Sequence, residues 1–283
     1  MQVVSIISTK GGVGKTTTAA NLGGIAADAG LRVLLLDLDV QPTLSSYFTL
    51  HSHAPGGIYE LLAFNEQDHA RLISHTVIDG LDLILSNDDK GQLNTLLLHA
   101  PDGRLRLRNL LPAFRPHYDL LLIDTQGARS VLLEMAVLAS DLALSPVTPE
   151  ILAAREFRRG TLQLMRDIAP YRRLGIEPPP LQLLINRVHP VSANARLIQQ
   201  ALHDLFATEP GIVVLDTSIP AIEAYPRAST QAQPVHRVEY RRPKGRVTPA
   251  AFDTMRTLAC ELFPAWESAF NQLRAGAHRR VGR

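Results

Sequence analysis

The stretch Lys10-Gly11-Gly12-Val13-Gly14-Lys15-Thr16-Thr17 sits between the apolar run Val3-Val4-Ser5-Ile6-Ile7-Ser8 and a long run with helical character that opens at Lys15. Strand, glycine loop and helix follow one another without a gap. Glycines let a backbone curl tightly enough to turn successive N–H groups inward. The first turn of the following helix adds its own unpaired N–H groups and the positive end of its dipole. Such a loop cradles phosphate oxygens. Lys15 is then placed against the β- and γ-phosphates of a nucleotide, and the Thr16 hydroxyl is placed to ligate magnesium.

Working outward from this loop, short apolar runs alternate with amphipathic stretches along the whole chain, the pattern of strand-helix-strand units. Strands are predicted at residues 3–8, 33–36, 81–85, 120–123, 142–146, 181–185 and 212–215, all rich in Leu, Ile and Val as strands covered on both faces require. Helices are predicted at 15–29, stopped by Gly30, and at 130–139, 149–168, 193–206 and 249–262. The implied fold is α/β, a mostly parallel twisted sheet with helices on both faces. Residues 1–274 read as a single domain, because strand-helix alternation resumes straight after the proline-rich connection at 175–180. Within it, 227–248 is polar, basic and without a clear period, which predicts a surface segment. The basic tail 275–283 is expected to fray.

The chain has 283 residues, 46% hydrophobic and 20% charged, enough for a large core. Its single cysteine, Cys260, excludes an internal disulfide and a cysteine-built metal cage, and points to a reducing compartment. The N-terminus lacks the charged start and length of a secretory signal, and no run reaches the ~18 apolar residues of a membrane span, so a cytoplasmic protein is expected. Net charge is +2 but unevenly spread: residues 1–226 carry 18 Lys and Arg against 23 Asp and Glu, whereas 227–283 carry 11 against 4. The basic end is where a polyanion would dock.

Two strands end in carboxylates, and ligands of open α/β sheets sit at the carboxyl ends of strands. One ends in Asp37-Leu38-Asp39-Val40-Gln41-Pro42, so both carboxylates face the phosphates. The other is Leu120-Leu121-Leu122-Ile123-Asp124-Thr125-Gln126-Gly127, an apolar strand with Asp124 placed to hold magnesium directly or through water. Gln126 reads either as a contact to the attacking water or as a surface turn. No Asn-Lys-x-Asp guanine-reading run occurs in the chain. ATP is therefore the expected nucleotide, with Mg2+.

The run Lys-Gly-Gly-Val-Gly-Lys-Thr-Thr resembles the deviant Walker A motif of the ParA/MinD family of P-loop ATPases. By that resemblance, Lys10 reaches across a dimer interface to the partner's nucleotide phosphates, a cation delivered in trans to the transferred phosphoryl group. Lys10, Gly11, Gly12, Val13, Gly14, Lys15, Thr16 and Thr17 then contact nucleotide. Asp39 positions the attacking water, and Asp37 supports the magnesium shell beside Thr16 and Asp124. The family's proline after the second aspartate is Val40 here, and its D-x-P-P run is Asp124-Thr125-Gln126-Gly127. Further along, Asn186 resembles the family's adenine-contacting asparagine, and Ile219-Pro220 resembles the segment whose backbone lines the base pocket. The resemblance covers roughly residues 1–262.

It also implies a function: a homodimer when ATP-bound, binding nonspecific DNA on the nucleoid and releasing it when a ParB-like partner stimulates hydrolysis. Arg237, Arg241, Arg242, Lys244 and Arg246 are the candidate phosphate contacts. With no extension before the first strand, the chain resembles the short class lacking its own helix-turn-helix domain. The alternative is a MinD-like membrane ATPase. Leu262, Trp266, Phe270 and Leu273 recur at helical spacing beside a basic tail, and either pack on the body or lie on an anionic membrane.

Overall fold

The computed structural model describes residues 1–190, 192–206, 209 and 211–274. The first strand β1 (Gln2–Ile6) leads through the glycine loop into α1 (Lys15–Asp28), then β2 (Val33–Asp37), β3 (Leu50–Ser52), α2 (Ile58–Phe64), α3 (His69–Leu72), β4 (Ser74–Thr76) and β5 (Leu81–Ile84). Next come α4 (Gln92–His99), α5 (Arg106–Leu110), β6 (Leu120–Asp124), α6 (Val131–Leu138), β7 (Leu142–Val147), α7 (Ile151–Arg159), α8 (Thr161–Ile168) and β8 (Leu181–Val188). The chain closes with α9 (Ala193–Phe206), β9 (Ile212–Val214), β10 (Ile219–Pro220), α10 (Ala224–Thr230), α11 (Val235–Val238), α12 (Ala251–Leu262) and α13 (Glu267–Gln272).

These strands form one sheet in the order β10-β8-β7-β1-β6-β2-β5-β4-β3, with β9 beside β8. All neighbours are parallel except β3 with β4 and β4 with β5. Side-chain alternation divides the core between the two faces. Leu35, Leu83 and Leu122 pack with Leu22 and Ile25 of α1 and Met255 and Leu258 of α12, while Leu34, Leu36, Leu121 and Ile123 pack with α2, α4 and α6 on the other side. Both faces are covered, which is why the strands read as unbroken apolar runs.

All seven predicted strands are present. Three features differ from expectation. The helix predicted over 149–168 is two helices broken at Gly160, where a Cβ would lie 1.8 Å from Thr9 Oγ1. The antiparallel edge β3–β4 was not predicted; its strands are short and polar, Leu-His-Ser and Ser-His-Thr. The segment 227–248, expected as a surface segment without a clear period, contains the end of α10 and all of α11, and its His236 is 1% exposed. At the C-terminus, Leu262 and Phe270 are buried in the core with Trp266 and Leu273 against it, so the apolar stripe is used by the body of the protein. The tail 275–283 lies outside the described residues.

Candidate nucleotide site

The glycine loop carries its turn where the sequence has no side chain to lose: Gly12 takes φ 75° and Gly14 φ 95°, in the left-handed region that favours glycine. Around Gly11 and Gly12 the space is open, with nothing within 4 Å of where a Cβ would stand. Gly14 caps α1, so the unpaired N–H groups of the first turn face this space. Lys15 is buried at its edge. Burial lowers its pKa, and the nearby Asp124 and Asp39 carboxylates oppose that shift.

Adjacent parallel strands bring the two acids together, since Asp37 of β2 and Asp124 of β6 are register partners and both are fully buried. The Thr16 hydroxyl donates to Asp124 Oδ2 at 2.6 Å. Burial raises the Asp124 carboxyl to about 7, against the Thr16 hydrogen bond and the Lys15 charge, and with Asp37 adding to the rise. Asp37 is raised to about 6, again by burial. Its oxygens are already engaged: Oδ1 accepts from Asp39 N at 3.1 Å, and Oδ2 accepts from Ser45 N at 2.7 Å and Ser45 Oγ at 2.8 Å. Asp37 thus folds the following loop back onto the strand end. Ser86 completes the arrangement, its N donating to Ser45 Oγ and its Oγ to the Asp39 carbonyl oxygen. Neither serine was singled out in the sequence. Asp39 itself is half-buried, with Oδ1 accepting from Gln41 N at 3.1 Å.

Thr16 and Asp124 offer hard oxygen donors at a phosphate cradle, the chemistry magnesium takes. Among the described residues no group of three or more His, Cys, Asp or Glu side chains could hold a metal ion. A cation here would complete its shell from phosphate oxygens and water.

The loop after Asp124 has a glycine where it meets the phosphate loop. A Cβ on Gly127 would lie 2.7 Å from Gly11 Cα and 2.8 Å from Gly11 N, so this loop packs backbone to backbone on the phosphate cradle. Gln126 stands half-buried beside it.

Beside the cradle lies a cavity of about 520 Å³ lined by Gly14, Thr17, Asn186, Arg187, Pro220 and Tyr225 among others. Asn186 and Pro220 are both on its wall. The Asn186 amide also bonds inside the protein: Nδ2 donates to Val13 O at 2.7 Å and Oδ1 accepts from Arg187 N at 2.9 Å, leaving one N–H and one oxygen lone pair. It secures the phosphate loop.

Lys10 stands at the rim, its side chain 32% exposed, with Nζ 3.3 Å from Glu156 Oε2 and 4.0 Å from Glu150 Oε2. Sequence reading gave no sign of these acids, which come from α7 and the residue before it. Of the basic candidates, Arg237 is paired with Asp28 and Arg246 with Glu239, while Arg241, Arg242 and Lys244 are exposed.

A family model described as an AAA domain (AAA_31) matches residues 1–173. The chain is 34% identical over 175 residues to the chromosome partitioning protein ParA of Caulobacter vibrioides, covering 61% of this chain and 64% of that protein. It is 32% identical over 168 residues to the sporulation initiation inhibitor protein Soj of Bacillus subtilis, covering 59% and 64%. Among solved structures, McdA of Cyanothece in an ATP complex superposes with a TM-score of 0.75 at 21% identity, over 97% of this chain and 98% of that one. A putative plasmid partition protein of Borrelia burgdorferi bound to AMPPNP superposes at 0.64 with 25% identity, over 82% and 90%. No helix among the described residues is long and apolar enough to cross a membrane. The chain belongs to this AAA-domain family, as a P-loop ATPase of the ParA/MinD type.

Proposed function

We propose that the protein is a magnesium-dependent ATPase that dimerises on ATP, binds nonspecific DNA in that state and takes part in partitioning a DNA cargo with a ParB-like partner. One observation carries the reading: a buried Lys15 and a Thr16–Asp124 contact at an open glycine cradle, with a second lysine, Lys10, at its rim. The partition names of ParA and the Borrelia protein support the cargo role.

In this reading Gly11 to Thr17 hold the phosphates, and Lys15 stabilises charge developing on the transferred group. Thr16 and Asp124 would hold magnesium, which supplies charge neutralisation on the phosphate oxygens. Asp39, tethered through Ser86 to the Asp37–Ser45 fold-back, orients the attacking water. Lys10 leaves Glu156 and enters the partner's site, so that hydrolysis waits on pairing. The base lies in the cavity walled by Pro220 and Tyr225. Loss of the γ-phosphate frees the loops after Asp39 and Asp124, and the dimer opens.

Three proteins test this: wild type, Lys10→Ala and Lys15→Ala, assayed for nucleotide binding, ATP-dependent mass and hydrolysis. Lys15→Ala is expected to lose nucleotide binding. Lys10→Ala is expected to bind ATP as a monomer and to hydrolyse it at background rate. A Lys15→Ala protein that hydrolyses ATP normally would contradict the reading.

A further inference from the structure

The five basic candidates of the C-terminal segment divide into two kinds, and the division follows from what holds the segment in place. Its first part is fastened along α1, the helix that begins at the phosphate cradle. Asn21 Oδ1 accepts from Val235 N at 2.6 Å, while Asn21 Nδ2 donates to Thr17 O at 2.7 Å. Pro234 packs so closely on Gly24 that a Cβ there would lie 2.4 Å from Pro234 Cγ. At the end of α1, Asp28 accepts from Arg237 Nε at 2.8 Å and from Nη2 at 2.5 Å, with His236 Nε2 at 2.6 Å from Oδ2. Asp28 is 3% exposed and His236 1%, and these partners hold the Asp28 carboxyl down at about 2 against the opposing effect of burial.

A second clamp closes the loop that follows. Arg246 donates to both Glu239 oxygens, at 2.9 and 2.5 Å, and to Pro249 O at 2.9 Å, while Glu239 Oε1 also accepts from Ala251 N. Tyr225, on the wall of the nucleotide cavity, lies near enough for the Glu239 and Arg246 charges to act on its hydroxyl. Between the clamps, Arg241, Arg242 and Lys244 are exposed and form no ion pair among the described residues. Gly245 at φ 80° makes the turn, with Arg246 N donating to Pro243 O at 3.3 Å.

We propose that Arg241, Arg242 and Lys244 form a preshaped finger for the DNA phosphate backbone, and that Arg237 and Arg246 are anchors that fix it to α1 and Glu239 without touching DNA. The inference rests on the DNA-binding reading above and adds the location of the contact and the means of holding it. A loop whose backbone is already held loses less freedom on binding than a mobile one, and α1 gives the finger and the phosphate cradle a common mount.

The test is binding to a nonspecific DNA duplex with ATP, over a series of salt concentrations, with vesicles of anionic phospholipid as control. The Arg241→Ala/Arg242→Ala/Lys244→Ala protein is expected to bind ATP as wild type does and to bind DNA with a shallower salt dependence, the log–log slope falling by about 0.9 for each DNA phosphate that is no longer neutralised. Asp28→Asn and Glu239→Gln discriminate by sign. Each removes a negative charge, so charge alone gives tighter DNA binding, whereas loss of an anchor gives weaker binding. Weaker binding with ATP binding retained supports the anchors; should one variant fail to fold, the other carries the test. Unchanged affinity and slope in the triple variant, with wild type binding DNA, would overturn the finger and leave the DNA reading standing. Binding of wild type to vesicles and not to DNA would overturn both.

Discussion

Asn186 Nδ2 donates to the Val13 carbonyl oxygen at 2.7 Å, tying the end of β8 to the phosphate loop. Through this bond the asparagine holds the loop's shape, so its loss is expected to reach ATP and ADP binding together. Asn186→Ala leaves the Val13 carbonyl without its buried donor, a loss of about 1–3 kcal/mol. Titration calorimetry is expected to show weaker ATP and ADP binding by a similar factor. A defect confined to one base, with ATP lost and GTP kept, would assign Asn186 to base reading instead.

Gly127→Ala is expected to weaken nucleotide binding from outside the cradle. The added Cβ meets Gly11 backbone atoms at 2.7 and 2.8 Å, where no flexible side chain can yield. Overpacking of this kind costs roughly 1–3 kcal/mol, and displacement of the cradle adds a loss of ATP affinity. A thermal melt and an ATP titration on the one variant read both effects.

Asp124→Asn separates chemistry from stability. A buried carboxylate is destabilising when charged, and an asparagine oxygen at the same place still accepts from Thr16 Oγ1. The nucleotide-free variant is expected to unfold at an equal or higher temperature than wild type and to have lost ATP hydrolysis. A large drop in melting temperature would show that Asp124 is chiefly structural.

The Asp28 clasp gives a pH dependence whose sign follows from its depressed pKa, about 2 against an ordinary 3.8. A carboxylate with a lower pKa in the folded state adds stability above its unfolded pKa and loses it as pH falls through the folded one. At pH 7 this is worth roughly 2 kcal/mol. Urea unfolding of wild type against Asp28→Ala is expected to show that gap at pH 7, and to show it closing between about pH 4 and pH 2.

How much of this was legible in the sequence depends on the distance over which each feature is made. Lys15, Thr16 and Asp124 lie where a glycine loop and a strand end put them, because local pattern and sheet geometry suffice. The fold-back at Asp37 was not legible: it needs Ser45, and Ser45 needs Ser86, which arrives on a later strand's end. Gly160, between α7 and α8, stands where a side chain would meet Thr9, a residue far along the chain. In a surface basic segment Arg237 reads as a phosphate contact, and only the return of the chain to Asp28 makes it, with the buried His236, a fastener. Composition carries no trace of such a partner.

The central claim is an ATP-switched DNA binder, and the most direct measurement is wild-type binding to a nonspecific duplex at one fixed, moderate salt concentration with ATP, ADP or no nucleotide. The account gives tight binding with ATP and weak binding in the other two conditions. Equal binding in all three, or none in any, would contradict it.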